Sequence, residues 1–72
     1  MEQEVPIRGG MIRLGQLLKV AGVVDEGGQA KVLLAEGSVL VNGEPETRPG
    51  RQLHPGDLVL AGEAKLRVVA GP

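Results

Sequence analysis

The chain has 72 residues, eight Lys/Arg against nine Asp/Glu and a net charge of −1, which bounds it to one domain with no global pull toward nucleic acid. No cysteine is present and only one histidine, which excludes a disulfide framework, a thiolate metal site and a metal centre built on histidine alone. Phe, Tyr and Trp are absent, so folds that read single strands by stacking bases on exposed rings are excluded as well.

Residues 1–7 are acidic and polar around Pro6 and show no period. They read as a loose lead-in, and residues 1–11 as a segment ahead of a domain spanning 12–72. No signal-peptide pattern opens the chain, because Glu2 and Glu4 stand where a basic region would be. Its apolar runs are far short of the ~20 residues of a membrane span. The expected location is cytoplasmic.

From Arg13 the period changes. Leu14, Leu17, Leu18 and Ala21 fall at i, i+3, i+4 and i+7, an apolar helical stripe, with Arg13, Gln16 and Lys19 off it. Gly15 costs such a helix about 1 kcal/mol relative to Ala, which suggests close packing at that point. Gly22 reads as a C-terminal cap. Asp25 and Glu26 suit the start of a second helix, where they face the positive end of its dipole. Ala30, Leu33, Leu34 and Gly37 repeat the spacing, and Gly37 is expected to end the helix in a left-handed conformation.

Ser38 to Val41 reads as a strand. Asn42-Gly43 is a hairpin signal, since a type I′ turn needs positive φ at both positions. Pro45 shortens the returning strand. Pro49-Gly50 and Pro55-Gly56 mark two more turns. Leu58–Leu60 and Ala64–Val69 read as the last strands, with Lys65 and Arg67 on an exposed face between Leu66 and Val68. The fold class is α+β, two short helices packed on a small, mostly antiparallel sheet.

In order, the Gln29-Ala30-Lys31 helix ending at Gly37, Val39, Val41-Asn42-Gly43 and Pro55-Gly56-Asp57 resemble the S-four RNA-binding domain, also called the αL RNA-binding motif. The resemblance spans about Ile12 to Leu60. Leu14-Gly15, Gly27-Gly28-Gln29-Ala30-Lys31 and Glu46-Thr47-Arg48 look most like its small stand-alone bacterial members. It implies RNA lying across the helix pair and the adjoining hairpin, with Arg13, Gln29 and Lys31 facing it and Arg48 and Arg51 flanking the same surface. The chain departs from the commoner family form, which has Asp where Gly15 stands and Thr-Arg where Glu26-Gly27 stands. Pro49 and Gln52 dilute the basic run around Arg48.

The residues support that surface on their own. An arginine fork grips phosphate oxygens in bidentate fashion, and the flanking turns fix where Arg48 and Arg51 point. Lys31, near a helix start, would add to the field of exposed N–H groups there. A basic patch without aromatic rings suits structured RNA, whose phosphates and 2′-hydroxyls are exposed. The expected partner is therefore structured RNA, ribosomal or transfer, held without catalysis by a monomer through Arg13, Lys19, Gln29, Lys31, Arg48 and Arg51.

Other readings weigh less. Arg13, Gln16 and Lys19 also fit a solvated helix face. Arg48 and Arg51 also fit surface ion pairs with Glu44, Glu46 or Glu36. His54 has no nucleophile and acid arranged with it. Gly9-Gly10 and Gly27-Gly28 lack the Walker spacing. Neither cofactor nor metal is expected. The alternative function is a protein-interaction adaptor with a degenerate RNA surface, binding a protein partner through an exposed aliphatic patch around Val23, Val24 and Val32.

Overall fold

The computed structural model describes residues 1–71. In chain order the elements are β1 (Glu2–Ile7), β2 (Ile12–Arg13), α1 (Leu14–Val20), α2 (Gly27–Ala35), β3 (Val39–Val41), β4 (Glu44–Pro45), β5 (Gln52–Leu53), β6 (Leu58–Ala61) and β7 (Ala64–Ala70). Five strands form one sheet in the order β1-β7-β6-β3-β4, and β2 pairs with β5 separately. All pairings are antiparallel except β1 with β7. The architecture is thus α+β with a mostly antiparallel sheet. Neither helix is long and apolar enough to cross a membrane.

Strand alternation sends one set of side chains toward the helices. Val5 and Ile7 of β1, Val39 and Val41 of β3, Val59 and Ala61 of β6, and Leu66 and Val68 of β7 are all buried. Leu14, Leu17, Leu18, Ala30 and Leu34 meet them from α1 and α2 in a single core. Aliphatic packing alone fills it. Each fully buried Leu or Val contributes about 1.5–3 kcal/mol relative to exposure.

Residues 2–7 are not a loose lead-in. Glu2–Ile7 is an edge strand parallel to β7, in register from Glu2 opposite Lys65 to Ile7 opposite Ala70. The sheet therefore runs across the boundary drawn between 1–11 and 12–72. The strand shows no clear period because only Val5 and Ile7 face the core, and its partner lies at the far end of the chain. Arg67 fastens the two ends. It donates to Glu2 through Nη2 to Oε1 (3.0 Å) and Nε to Oε2 (3.3 Å), and through Nη1 to the Gly56 carbonyl (2.7 Å).

The turns follow their residues. Asn42 (φ 52°) and Gly43 (φ 85°) adopt the left-handed conformations of the expected hairpin, and Gly37 (φ 76°) follows α2. Asn42 also ties the hairpin to the Pro55-Gly56-Asp57 turn. Its Oδ1 accepts the Leu58 N–H (2.9 Å) and its Nδ2 donates to Asp57 Oδ1 (3.1 Å). Asp57 Oδ2 accepts the His54 N–H (2.8 Å). Burial pushes the Asp57 carboxyl up, but these hydrogen bonds outweigh it and leave the group below its ordinary value.

Candidate nucleic-acid interface

α1 begins without a capping side chain, because its N-cap residue is Arg13. The missing acceptors come from the loop between β4 and β5. The Leu14 N–H donates to the Arg51 carbonyl (2.9 Å) and the Gly15 N–H to the Pro49 carbonyl (2.8 Å). Two of the four free N–H groups at the helix start are satisfied this way. β2 and β5 continue the contact, with Arg13 opposite Gln52 and Ile12 opposite the fully buried Leu53. Gly15 permits the approach: a Cβ there would lie 3.2 Å from Pro49 Cβ and 3.4 Å from its carbonyl oxygen. The close packing expected at Gly15 is therefore packing against Pro49.

This docking brings three predicted arginines to one place. Arg13 Nη1 donates weakly to the Gly50 carbonyl (3.4 Å), within the loop that carries Arg48 and Arg51. Arg13 and Arg48 are exposed and Arg51 is half-buried. Arg48, Gly50, Arg51, Gln52, His54 and Asp57 line an open hollow of about 730 Å³ beside them.

Beneath the loop lies Glu46, the one buried charged residue among those described, 7% exposed. Its Oε2 accepts the N–H groups of Thr47 (3.0 Å) and Arg48 (3.1 Å) and the Arg48 Nε (3.1 Å). Its Oε1 accepts Arg48 Nη2 (3.1 Å) and Arg51 Nη1 (2.9 Å). Hydrogen bonds from Arg48, then from Arg51, hold the Glu46 carboxyl far below the usual carboxylate range, and the Arg48 guanidinium is correspondingly raised. Of the three acids considered as partners, the structure selects Glu46. Glu44 is exposed in β4, and Glu36 caps the C-terminal end of α2. Glu46 belonged to no expected site; its place two residues before Arg48 and five before Arg51 was the available signal.

The remaining expected residues make none of the hydrogen bonds of this cluster. Lys19, in the last turn of α1, and Lys31, in α2, are exposed, and their ammonium groups have no hydrogen-bonded partner among the described residues. Gln29 has a structural task. Its Oε1 accepts the N–H groups of Asp25 (2.6 Å) and Glu26 (3.3 Å), closing the start of α2 from within. Two residues along a helix turn the side chain by about 200°, so Gln29 and Lys31 occupy opposite flanks. Gln29 lines a hollow together with Ala61, at the end of β6, and Gly62. Asp25 and Glu26 make the start of α2 acidic, which removes the anion-attracting field expected to assist Lys31. The aliphatic patch is also smaller than expected. Val24 is buried at 8%, Val23 packs against the core and only Val32, at 66%, is open to solvent.

The model of the S4 domain matches residues 5–69, and so includes Val5 to Ile7 of β1 and every residue of the basic cluster. The chain belongs to the S4 domain family. This S4 domain is 51% identical over 59 residues to the probable ribosome maturation protein RlbA of Bacillus subtilis (strain 168), covering 82% of this chain and 83% of that protein. It is 39% identical over 59 residues to the putative RNA-binding protein YbcJ of Escherichia coli (strain K12), covering 82% of this chain and 84% of that one. Both relatives are small proteins of which the S4 domain alignment takes up most of the length.

Proposed function

We propose that this S4 domain binds structured RNA, ribosomal or transfer, without catalysing a reaction on it. The observation that carries the reading is the gathering of Arg13, Arg48 and Arg51 at the start of α1, in a chain whose overall charge is slightly negative. Three of the eight Lys/Arg stand where the loop docks, against the single carboxylate of Glu46. Phosphate oxygens accept from guanidinium forks, and the contact needs no aromatic ring. Lys19 and Lys31 extend the surface along the helix pair. Gln29 is left out of the contact set, since its side chain is held against the start of α2 and faces the opposite flank from Lys31. The names of the two relatives, a probable ribosome maturation protein and a putative RNA-binding protein, point the same way.

The test is binding to labelled duplex, hairpin and single-stranded RNA across a salt series. The label sits on the RNA because the protein has no Trp or Tyr. Preference for duplex or hairpin with a steep salt slope is expected. Replacing Lys31, Arg48 and Arg51 together by Ala should weaken binding and flatten the slope by about one unit per lost phosphate contact. Equal affinity of the triple variant and the parent protein would place the surface elsewhere.

A further inference from the structure

Glu46 poses an electrostatic problem. A carboxylate under two arginines subtracts charge from a surface read as binding phosphates. By charge alone, a neutral residue there would serve better. Yet Glu46 is held with unusual completeness. Its own N–H donates to the Val39 carbonyl (3.0 Å), which fixes its backbone to the sheet. Its side chain is 8% exposed, and its two oxygens accept five hydrogen bonds.

The geometry resolves the problem. Arg48 meets the carboxylate side-on through Nε and Nη2, while its side chain stays 74% exposed. Arg51 uses a single Nη1 donor and is 36% exposed. A guanidinium carries five N–H donors, so Arg48 keeps three and Arg51 four, and the face each turns to solvent is set by its attachment to Glu46. Long, mobile side chains normally lose rotamer freedom when a ligand is bound, and that loss weakens binding; ordering them beforehand removes it. The same carboxylate orders the backbone N–H groups of Thr47 and Arg48. It thereby shapes the loop whose Pro49 and Arg51 carbonyls receive the start of α1.

We infer that Glu46 is the positioning residue of the RNA surface: a buried carboxylate that aims Arg48 and Arg51 over the hollow lined by Gly50, Gln52 and His54. The inference rests on the RNA-binding reading for its consequence, but not for its geometry.

The two accounts of Glu46 predict opposite signs. Glu46→Gln removes a negative charge with little change of shape. If charge governs, the variant binds hairpin RNA more tightly and with a steeper salt slope. If positioning governs, it binds about tenfold more weakly, and the loss disappears when Glu46→Gln is added to the Arg48→Ala/Arg51→Ala variant. Tighter or unchanged binding by a folded Glu46→Gln protein, checked by far-ultraviolet circular dichroism, overturns the proposal. Should that variant unfold, Glu46→Asp keeps the charge and shortens the reach. Weaker binding is then expected, and unchanged binding is fatal to the idea. A second readout needs neither RNA nor a variant. In nitrogen-detected NMR of the parent protein, the Arg48 Nε–H should exchange with water at least tenfold more slowly than that of the exposed Arg8. Equal rates would remove the geometric basis even if RNA binds. Slow exchange in a protein that binds no RNA would leave the carboxylate's grip intact and sink the RNA reading instead.

Discussion

The two helices begin in opposite ways. α1 starts at Arg13 with no side-chain cap, and its first N–H groups are received by carbonyls of Pro49 and Arg51, more than thirty residues further along. α2 starts at Glu26 and is closed by its own Gln29, three residues on. The first start is built by tertiary docking against the loop that carries Arg48 and Arg51, with Arg13 as its N-cap. The second is built locally and carries Asp25 and Glu26. Capping satisfies the same backbone groups in both cases, but the sign of the neighbouring charge differs. Only the first start has arginines beside it. A helix terminus is therefore no guide to anion binding until the groups that cap it are known.

The largest expected effect breaks the comparison at its basic end. Arg13→Ala/Arg48→Ala/Arg51→Ala should lower affinity for hairpin RNA by at least about 100-fold, since each charge-assisted contact contributes about 1–3 kcal/mol and 1.4 kcal/mol is tenfold. Asp25→Asn/Glu26→Gln at the other start should leave affinity within a factor of about three by the weak, screened coupling of exposed charges. Salt titration of both variants checks the contrast. A comparable change at the α2 start would mean that both helix termini meet the RNA.

Glycine gives a sharper stability test. Gly28, in the first turn of α2, has open space where a Cβ would go, so Gly28→Ala should stabilise by about 0.5–1 kcal/mol. Gly15→Ala carries the same intrinsic gain, but the new Cβ meets Pro49 at 3.2 Å. It should be neutral or destabilising by about 1 kcal/mol. Thermal unfolding distinguishes them, as 1 kcal/mol shifts Tm by about 4–8 °C in a domain of this size. Gln29→Ala should cost about 1 kcal/mol by removing the acceptor for two N–H groups, with RNA affinity unchanged. An affinity loss beyond that explained by unfolding would restore Gln29 to the contact surface.

The smallest effect concerns acid. Hydrogen bonds from Arg48 and Arg51 keep Glu46 below its ordinary 4.5, and Asp57 sits below its ordinary 3.8. Arg67 lowers Glu2 in the same direction. Carboxylates depressed on folding stabilise the native state fully above their unfolded values, and that contribution fades as pH falls through the folded ones. Tm should thus be flat from about pH 7 to 5 and fall below about pH 4.5. Glu46→Gln should make the fall shallower. An identical acid limb in the variant would mean that the Glu46 ion pairs contribute nothing to folding.

Local chemistry made much of the fold legible. The 3.6-residue period of Leu14, Leu17 and Leu18 and of Ala30 and Leu34 marked both helices, because a buried stripe leaves its spacing in the sequence. The Asn42-Gly43 turn and the cap at Gly37 were legible because few residues tolerate positive φ. Arg13, Arg48 and Arg51 were singled out as cations near a helix and a punctuated loop. Their meeting at Gly50, however, depends on a pairing of β2 with β5, two residues each, too short to leave a pattern.

The sequence by itself therefore determined the helices, the hairpin, the apolar core and the family, since each rests on neighbours within a few residues or on motifs in fixed order. Only the tertiary structure decided the rest. It made residues 2–7 a strand by pairing them with β7, chose Glu46 over Glu44 as the partner of both arginines by burying it, and committed Gln29 to its own helix start. The reason is the same in each case. Parallel pairing, burial of a charge and the direction of a side chain are set by groups distant in the chain, and a local pattern carries no record of them.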